Sequence, residues 1–373
     1  MPVQHINLSY SWTPHQEETA RRHQTSPLRN ALMDLLQAVR EAGSIGAAAK
    51  SLSLSYRHVW GELKRWESAL GQPLIHWEKG QAARLTEFAD KLLWAERQAQ
   101  ARLAPQISAL QAELEKTFSV AFDPQSHVLP IYASHDDGLV LLREQAAAQS
   151  LHLDLRFCGS VDAIRALNDG RCTVAGFHAP LQPKPHSLVA RTYKPLLRTG
   201  LHKLMGFALR QQGLMVAPGN PLSLLSLADL LRPEVRVVNR GRGTGTRLLL
   251  DAWLEENAIA ASQLRGYQHE ESSHASVAAC IASGNADVGL GIASAAQAQG
   301  LGFVPLVQEA YWLVCHRSAL ETPALQALRS VLQTPPWQQQ LNQLPGYTAS
   351  PECGEVQSLK HTLPWWHFKS PAH

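Results

Sequence analysis

The apolar pattern changes its period twice along the chain, near residues 27 and 124. Residues 1–26 are polar, with Pro14 and Pro27 at turn positions and no periodic apolar set, and they read as a loosely docked arm. From Leu28 onward Leu32, Leu35, Leu36 and Val39 share one helical face, and Gly43 ends that helix. Ser44 caps a second helix whose small residues Ala47, Ala48 and Ala49 permit close packing, and the Ser51–Ser55 stretch turns the chain into a third helix, Tyr56 to Leu70. Leu74, Ile75 and Trp77, a polar turn over 78–81, and Arg84-Leu85-Thr86 predict a two-stranded ribbon. Residues 27–86 therefore read as a winged helix-turn-helix.

Residues 87–123 predict one long helix. Leu103, Ile107, Leu110 and Leu114 recur at steps of four, three and four, the spacing of a coiled-coil seam, so this segment reads as a dimerisation helix. A helix packed on its own domain is the alternative. Pro105 removes a backbone donor and is expected to kink or interrupt it near Arg102 to Ala104.

After Asp123-Pro124, short apolar runs alternate with helical stretches, which predicts an α/β domain with mainly parallel strands over residues 124–349. Candidate strands are Val128–Ala133, Leu151–Phe157, Thr173–Phe177, Leu204–Leu209, Leu214–Ala217, Val235–Asn239, Val288–Ile292 and Tyr311–Cys315. Residues 183–203 show no clear element, and a hairpin is expected around Gln211–Gly213, where the chain passes between two lobes. Residues 350–373, rich in proline and aromatics, read as an appendage. The fold class is α/β: an all-α winged helix-turn-helix, a long helix, and a two-lobed domain with a cleft.

Composition narrows the function. At 373 residues, with 45% hydrophobic and 17% charged positions, the chain is globular with two or three folding units. Its net charge of +3 excludes a basic coat, so any nucleic-acid contact must be a local patch. Such a patch exists between Ser44 and Arg84, where Lys50, Arg57, Lys64, Arg65, Lys79 and Arg84 face only Glu62, Glu67 and Glu78. The five cysteines are widely spaced, without a C-x-x-C pair, and read as idle thiols in a reducing compartment. No secretory leader and no apolar run near ~18 residues is present, so a cytoplasmic protein without a membrane partner is expected.

A recognition helix offers its first residues to base edges and phosphates, and Ser53, Ser55, Tyr56, Arg57, His58, Lys64 and Arg65 supply donors there; Lys79 and Arg84 stand where a wing meets the backbone. Trp60 is expected in the core. Gly43-Ser44-Ile45, Ala48-Ala49, Ser55-Tyr56-Arg57 with Trp60, and Gly71, Pro73 and Leu74 before Arg84-Leu85-Thr86 resemble the winged helix of the molybdate-responsive ModE regulators and, more distantly, of LysR-type regulators. The resemblance spans residue 28 to about 115. It implies double-stranded DNA with a two-fold-related operator as partner and a homodimer, or a tetramer, as the assembly.

In Asn239–Arg247 a strand ends, glycines let amides approach a ligand, and Thr244 and Thr246 start a helix whose dipole favours an anion. No G-K-[ST] follows, which excludes a Walker loop, and the third glycine is misplaced for a dinucleotide fingerprint. Ser134 with His135, and Ser160, stand at two further strand-to-helix turns, where ligands of open sheets gather. Ser134, Ser160 and Thr244 also suit plain N-caps, Arg247 can pair with Asp251, and Asp287 can tether a turn. His135-Asp136-Asp137 lacks a second cluster for a metal. No nucleophile motif such as G-x-S-x-G marks an enzyme.

Ala133–Asp136, Ala175–His178, Asn239–Arg247 and Ser283–Gly289 resemble a periplasmic-binding-protein-like, molybdate-binding-protein-like sensor domain, as does Glu309–Val314, where Trp312 replaces the acidic residue more common there. The resemblance implies a ligand site drawn from Ser134, His135, Asp136, Ser160, His178, Arg240, Gly243, Thr244, Gly245, Thr246, Arg247, His274, Glu309 and Tyr311. It implies molybdate, tungstate or a molybdenum-cofactor-related anion as effector, no covalent cofactor, and molybdenum-uptake or molybdoenzyme genes as targets. Arg240, Arg242 and Arg247 equally suit an organic carboxylate or a phosphate. A solute-binding protein of a transport system is the other reading.

Overall fold

Asn30 accepts a hydrogen bond from the Leu32 amide at 3.0 Å and so starts the first helix of the computed structural model, which describes residues 30–76, 82–122, 127–181, 184–363 and 366–368. Contacts divide the chain into two compact units, meeting between Gln100 and Ala101. In the first, α1 (Ala31–Ala42) ends on Gly43, α2 (Ile45–Ser51) is capped by Ser44, and α3 (Tyr56–Leu70) is capped by Ser55, as the sequence predicts. β1 (Ile75–His76) and β2 (Arg84–Leu85) pair antiparallel, which gives the ribbon. Leu36, Val39, Ala48, Val59 and Leu74 are fully enclosed, and burying each larger side chain contributes roughly 2 kcal/mol. Trp60 packs against this core half-buried.

α4 (Glu87–Phe122) runs through Pro105 without interruption, contrary to the expected break. The reason lies in tertiary structure. A proline at 105 cannot donate to the carbonyl four residues earlier, that of Ala101, and the Ser273 hydroxyl donates to this oxygen instead at 3.2 Å. On the expected seam Leu103, Ile107 and Leu114 are half-buried and Leu110 is 52% exposed.

After α4 the second unit continues with β3 (His127–Ala133), α5 (Asp137–Ala147), β4 (Leu151–Phe157), α6 (Ser160–Asn168) and β5 (Val174–Pro180), an alternation of strand and helix in which β3 pairs both β4 and β5 in parallel. Residues 183–203 do contain structure: α7 (Leu188–Tyr193) and a single 3-10 turn, with Tyr193 fully buried against Phe177. The expected hairpin at Gln211–Gly213 is absent. A single strand, β6 (His202–Val216), crosses the whole domain, because its partner β10 (Gly302–His316) is equally long and the two pair antiparallel from end to end. Between them in sequence lie β7 (Val237–Arg240), α8 (Gly245–Glu256), β8 (Glu270–Glu271), α9 (His274–Ala282), β9 (Val288–Ile292) and α10 (Ala293–Ala298).

The sheet order is β4-β3-β5-β10-β6-β9-β7-β8, so it is mixed rather than mainly parallel. β5 and β9 attach to the two long strands in antiparallel fashion, one in each lobe. After α11 (Pro323–Leu332) and α12 (Pro335–Gln343), the C-terminal residues are no appendage: β11 (Tyr347–Ala349) and β12 (Val356–Ser358) add to β6, α13 (Leu359–Thr362) follows, and Trp366 is fully buried beside Tyr193. Leu359, Leu363 and Trp366 join the buried cluster formed by the apolar side chains of α6 and α7, while Tyr347 belongs to the other main core of the domain. No helix of the described residues is long and apolar enough to cross a membrane.

Candidate functional site

Sheet register assembles the site. Arg210 of β6 stands opposite Glu309 of β10 on one side and Tyr347 of β11 on the other, while Tyr311 of β10 stands opposite His178 of β5. Arg210 is 2% exposed; its Nε donates to Glu309 Oε1 and its Nη1 donates to Asp136 Oδ2 at 2.5 Å. Tyr347 donates to the same Asp136 oxygen at 2.8 Å, and the Gly138 amide to the other at 2.9 Å. Asp136, rather than Ser134, is the N-cap of α5. Burial raises the Asp136 carboxyl against the pull of Arg210, whereas Glu309 and Asp136 outweigh burial and hold the Arg210 guanidinium above its ordinary range. Gln212 Nε2 links Glu309 Oε1 at 3.1 Å to Thr246 Oγ1 at 2.8 Å.

Across this network the two lobes touch. A Cβ on Gly159 would lie 3.0 Å from the Gly243 carbonyl, and one on Gly245 would lie 3.1 Å from His178 Cβ, so both glycines are demanded by close approach. The Val161 amide of α6 donates to Gly243 O at 3.3 Å. The N-termini of α6 and α8 thus converge on one cleft, with Thr244 capping α8 and Ser160 in the first turn of α6 rather than at its cap. The Ser134 and Ser160 hydroxyls lie 3.4 Å apart, both buried.

Arg240, at the end of β7, is 2% exposed, and its Nη1 donates to the Glu271 carbonyl at 3.0 Å while its Nε has no partner among the described residues. Burial, reinforced by Arg210, pulls this guanidinium down to about 9. Other buried atoms without a partner among the described residues include both ring nitrogens of His178, His274 Nδ1, the Tyr311 hydroxyl and Gln212 Oε1. His178 and His274 are held well below their ordinary range, first by burial and then by Arg210 and Arg240, so both are neutral at pH 7. His135, tilted on Phe157 at 4.8 Å, is lowered by burial as well. The result is a buried guanidinium close to two neutral imidazoles, beside a network in which Arg210 holds the Asp136 and Glu309 carboxylates.

The loop arginines divide their work. Arg247 is buried and donates to Asp251 at 3.0 Å and Glu270 at 2.9 Å, while Arg242 is largely exposed; Arg240 is enclosed, and its Nε has no partner among the described residues. Asp287 binds the Arg236 side chain and amide and tethers a turn. Arg210, Gln212 and Tyr347 escaped sequence reading, since the first two fall where a hairpin was expected and the third just before the supposed appendage. Their signal was the uninterrupted β-like stretch from His202 to Val216.

In the first unit the start of α3 is exposed: Ser53, Ser55, Tyr56, Arg57 and His58 all face solvent, and Tyr56 stacks on Trp60 at 6.5 Å. Lys64 pairs with Glu67 at 2.7 Å and Arg65 with Glu62 at 2.5 Å, so these two cations sit on a solvated helix face with their charge partly matched. Arg84 is exposed on β2, and Lys79 lies outside the described residues.

A family model described as a bacterial regulatory helix-turn-helix protein of the lysR family matches residues 31–90, and one described as a PBP superfamily domain matches residues 142–333. An uncharacterised Bacillus subtilis protein, YvgK, is 29% identical over 52% of this chain, and the alignment spans 61% of that protein's length. An uncharacterised Clostridium pasteurianum protein from a ferredoxin gene's 5′ region is 30% identical over 29% of this chain and 96% of its own. Among solved structures, a Corynebacterium glutamicum OxyR mutant covers 82% of this chain and 92% of its own at 17% identity and a TM-score of 0.40. A lysR-family helix-turn-helix model matches residues 31–90 ahead of that domain, and through residues 142–333 the chain belongs to the PBP superfamily.

Proposed function

We propose that this protein is a ligand-responsive DNA-binding regulator whose cleft closes on a small organic anion, a carboxylate or phosphate, seated against Arg240. The observation that carries the reading is the buried Arg240 Nε, which has no partner among the described residues while its Nη1 donates to a backbone carbonyl. Such a charge is costly without a counter-ion and is stabilised by a bidentate one. Molybdate or tungstate is the second reading, favoured by the neutral hydroxyls of Ser134 and Ser160, which suit a tetrahedral oxyanion.

The lobe that carries Arg240 is tied to α4. The Glu271 carbonyl accepts from Arg240, the Glu271 carboxylate is held by Arg102 of α4 at 2.6 Å, and Ser273 reaches the Ala101 carbonyl of the same helix. Closure on an anion would load this chain of bonds and pass to α4, and so to the spacing of paired recognition helices on half-sites about 10 bp or a multiple apart. The exposed Tyr56, Arg57 and His58 would contact DNA in a homodimer. Isothermal titration of the full chain with molybdate, tungstate, sulfate, phosphate, phosphate esters and mono- and dicarboxylates tests the reading. Micromolar binding of one organic anion supports it, tight binding of molybdate and tungstate alone supports the second reading, and silence from every anion refutes both.

A further inference from the structure

We infer that His269, Glu271 and Cys280 form a second site, for a borderline divalent ion of the zinc class. His269 Nε2 lies 3.8 Å from Glu271 Oε1 and 3.9 Å from Cys280 Sγ, and the three ligand atoms all fall within 4.8 Å of one another. Bonds of ~2.0–2.3 Å in a tetrahedron put ligand atoms roughly 3.4–3.8 Å apart, so the two His269 distances already match and the widest spacing closes by at most about 1 Å. One nitrogen, one oxygen and one sulfur exclude calcium and magnesium, which want oxygen, and suit zinc or cobalt.

The backbone holds the ligands in place independently of any ion. The His269 amide donates to Gly266 O and its carbonyl accepts from Asn239, both at 2.8 Å, and Glu271 pairs in register with Arg240 across β7 and β8. Cys280 sits mid-way along α9, which Ser273 caps. The His269 side chain is 41% exposed, leaving a side open to solvent for entry and a fourth ligand. Arg102 occupies both Glu271 oxygens, at 3.1 and 2.6 Å, but is itself 54% exposed and free to swing away. An ion bound here competes with Arg102 for Glu271 and loosens one tie between α4 and the sensor lobe, while the Cys280 proton leaves to solvent.

Titrating the reduced, chelator-treated full chain with Co2+ under anaerobic conditions tests this. The expected result is one equivalent bound, with a near-ultraviolet thiolate-to-cobalt charge-transfer band that Zn2+ abolishes. Cys280→Ser should lose the band, and His269→Ala, a half-exposed change that leaves the core intact, should lower Co2+ affinity at least about 30-fold. Arg102→Gln should bind about fivefold more tightly, since a half-exposed ion pair near 1 kcal/mol no longer competes. Absence of the charge-transfer band, or a band of unchanged affinity in His269→Ala, overturns the site; unchanged or weaker binding in Arg102→Gln overturns the competition.

Discussion

Replacing Arg240 with methionine separates a ligand role from a structural one, because the two predict opposite signs. The guanidinium is fully enclosed and held at about 9 against an ordinary 12.5, so keeping it charged in the fold costs on the order of 5 kcal/mol. Water entry and relaxation reduce what a variant recovers, and about 2 kcal/mol is a conservative share. Little is lost in exchange: the Glu271 carbonyl that accepts from Arg240 keeps the Gly241 amide at 3.2 Å, and methionine fills irregular space of similar length. Arg240→Met should therefore melt about 4 °C higher than the parent without an anion, and the difference should be constant from about pH 6 to pH 8. The sign follows from linkage: a base depressed in the fold destabilises fully below its folded value, and this cost fades only as pH rises past about 9. In the same variant, affinity for the anion should fall at least about 30-fold, since a buried charged contact is worth ~2 kcal/mol or more. Differential scanning calorimetry and titration on the same samples read both effects. A variant that melts lower than the parent and still binds the anion would refute the argument.

Other outcomes follow from single contacts. Arg57→Ala should weaken operator binding and reduce its salt slope by about one per protomer, with anion titration unchanged; Thr246→Ala, which removes the partner of Gln212, should do the reverse. Ser273→Ala should destabilise the parent by about 1–2 kcal/mol through lost capping and an unpaired Ala101 carbonyl, but by about 1 kcal/mol less in a Pro105→Ala background, where residue 105 donates to that carbonyl; additive effects in the thermal double-mutant cycle would refute the account of the uninterrupted helix. His202 accepts from the Arg198 amide through Nδ1 at 2.8 Å and contacts Asn168 Oδ1 through Nε2 at 3.0 Å, and burial with neighbouring His316 lowers it to about 4. Because the unfolded chain takes this proton first, stability should fall as pH drops from about 6.5 to about 4, and His202→Gln should flatten that part of a urea-melt pH profile.

Local chemistry made much of the protein legible from sequence. Ser44, Ser55 and Gly43 cap helices through their own side chain or backbone, so the turn between the helices and the end of the first one could be read from sequence. The glycine-threonine loop announced a helix start capped by Thr244 for the same reason. What failed depended on partners far along the chain. Pro105 should break a helix until Ser273, distant in sequence, takes up the carbonyl it frees. Gln211–Gly213 resembles a turn until a strand of equal length pairs across it. The final residues look idle until their register on β6 brings Tyr347 to Asp136. Three arginines in one loop are alike in sequence, and packing alone neutralises Arg247, exposes Arg242 and leaves Arg240 charged and enclosed. Sequence by itself determined the elements and the residue types available for binding, because propensity, capping and hydrophobic period act over a few residues. Tertiary structure decided which charge goes unpaired, because burial and pairing are properties of the neighbours that folding brings together.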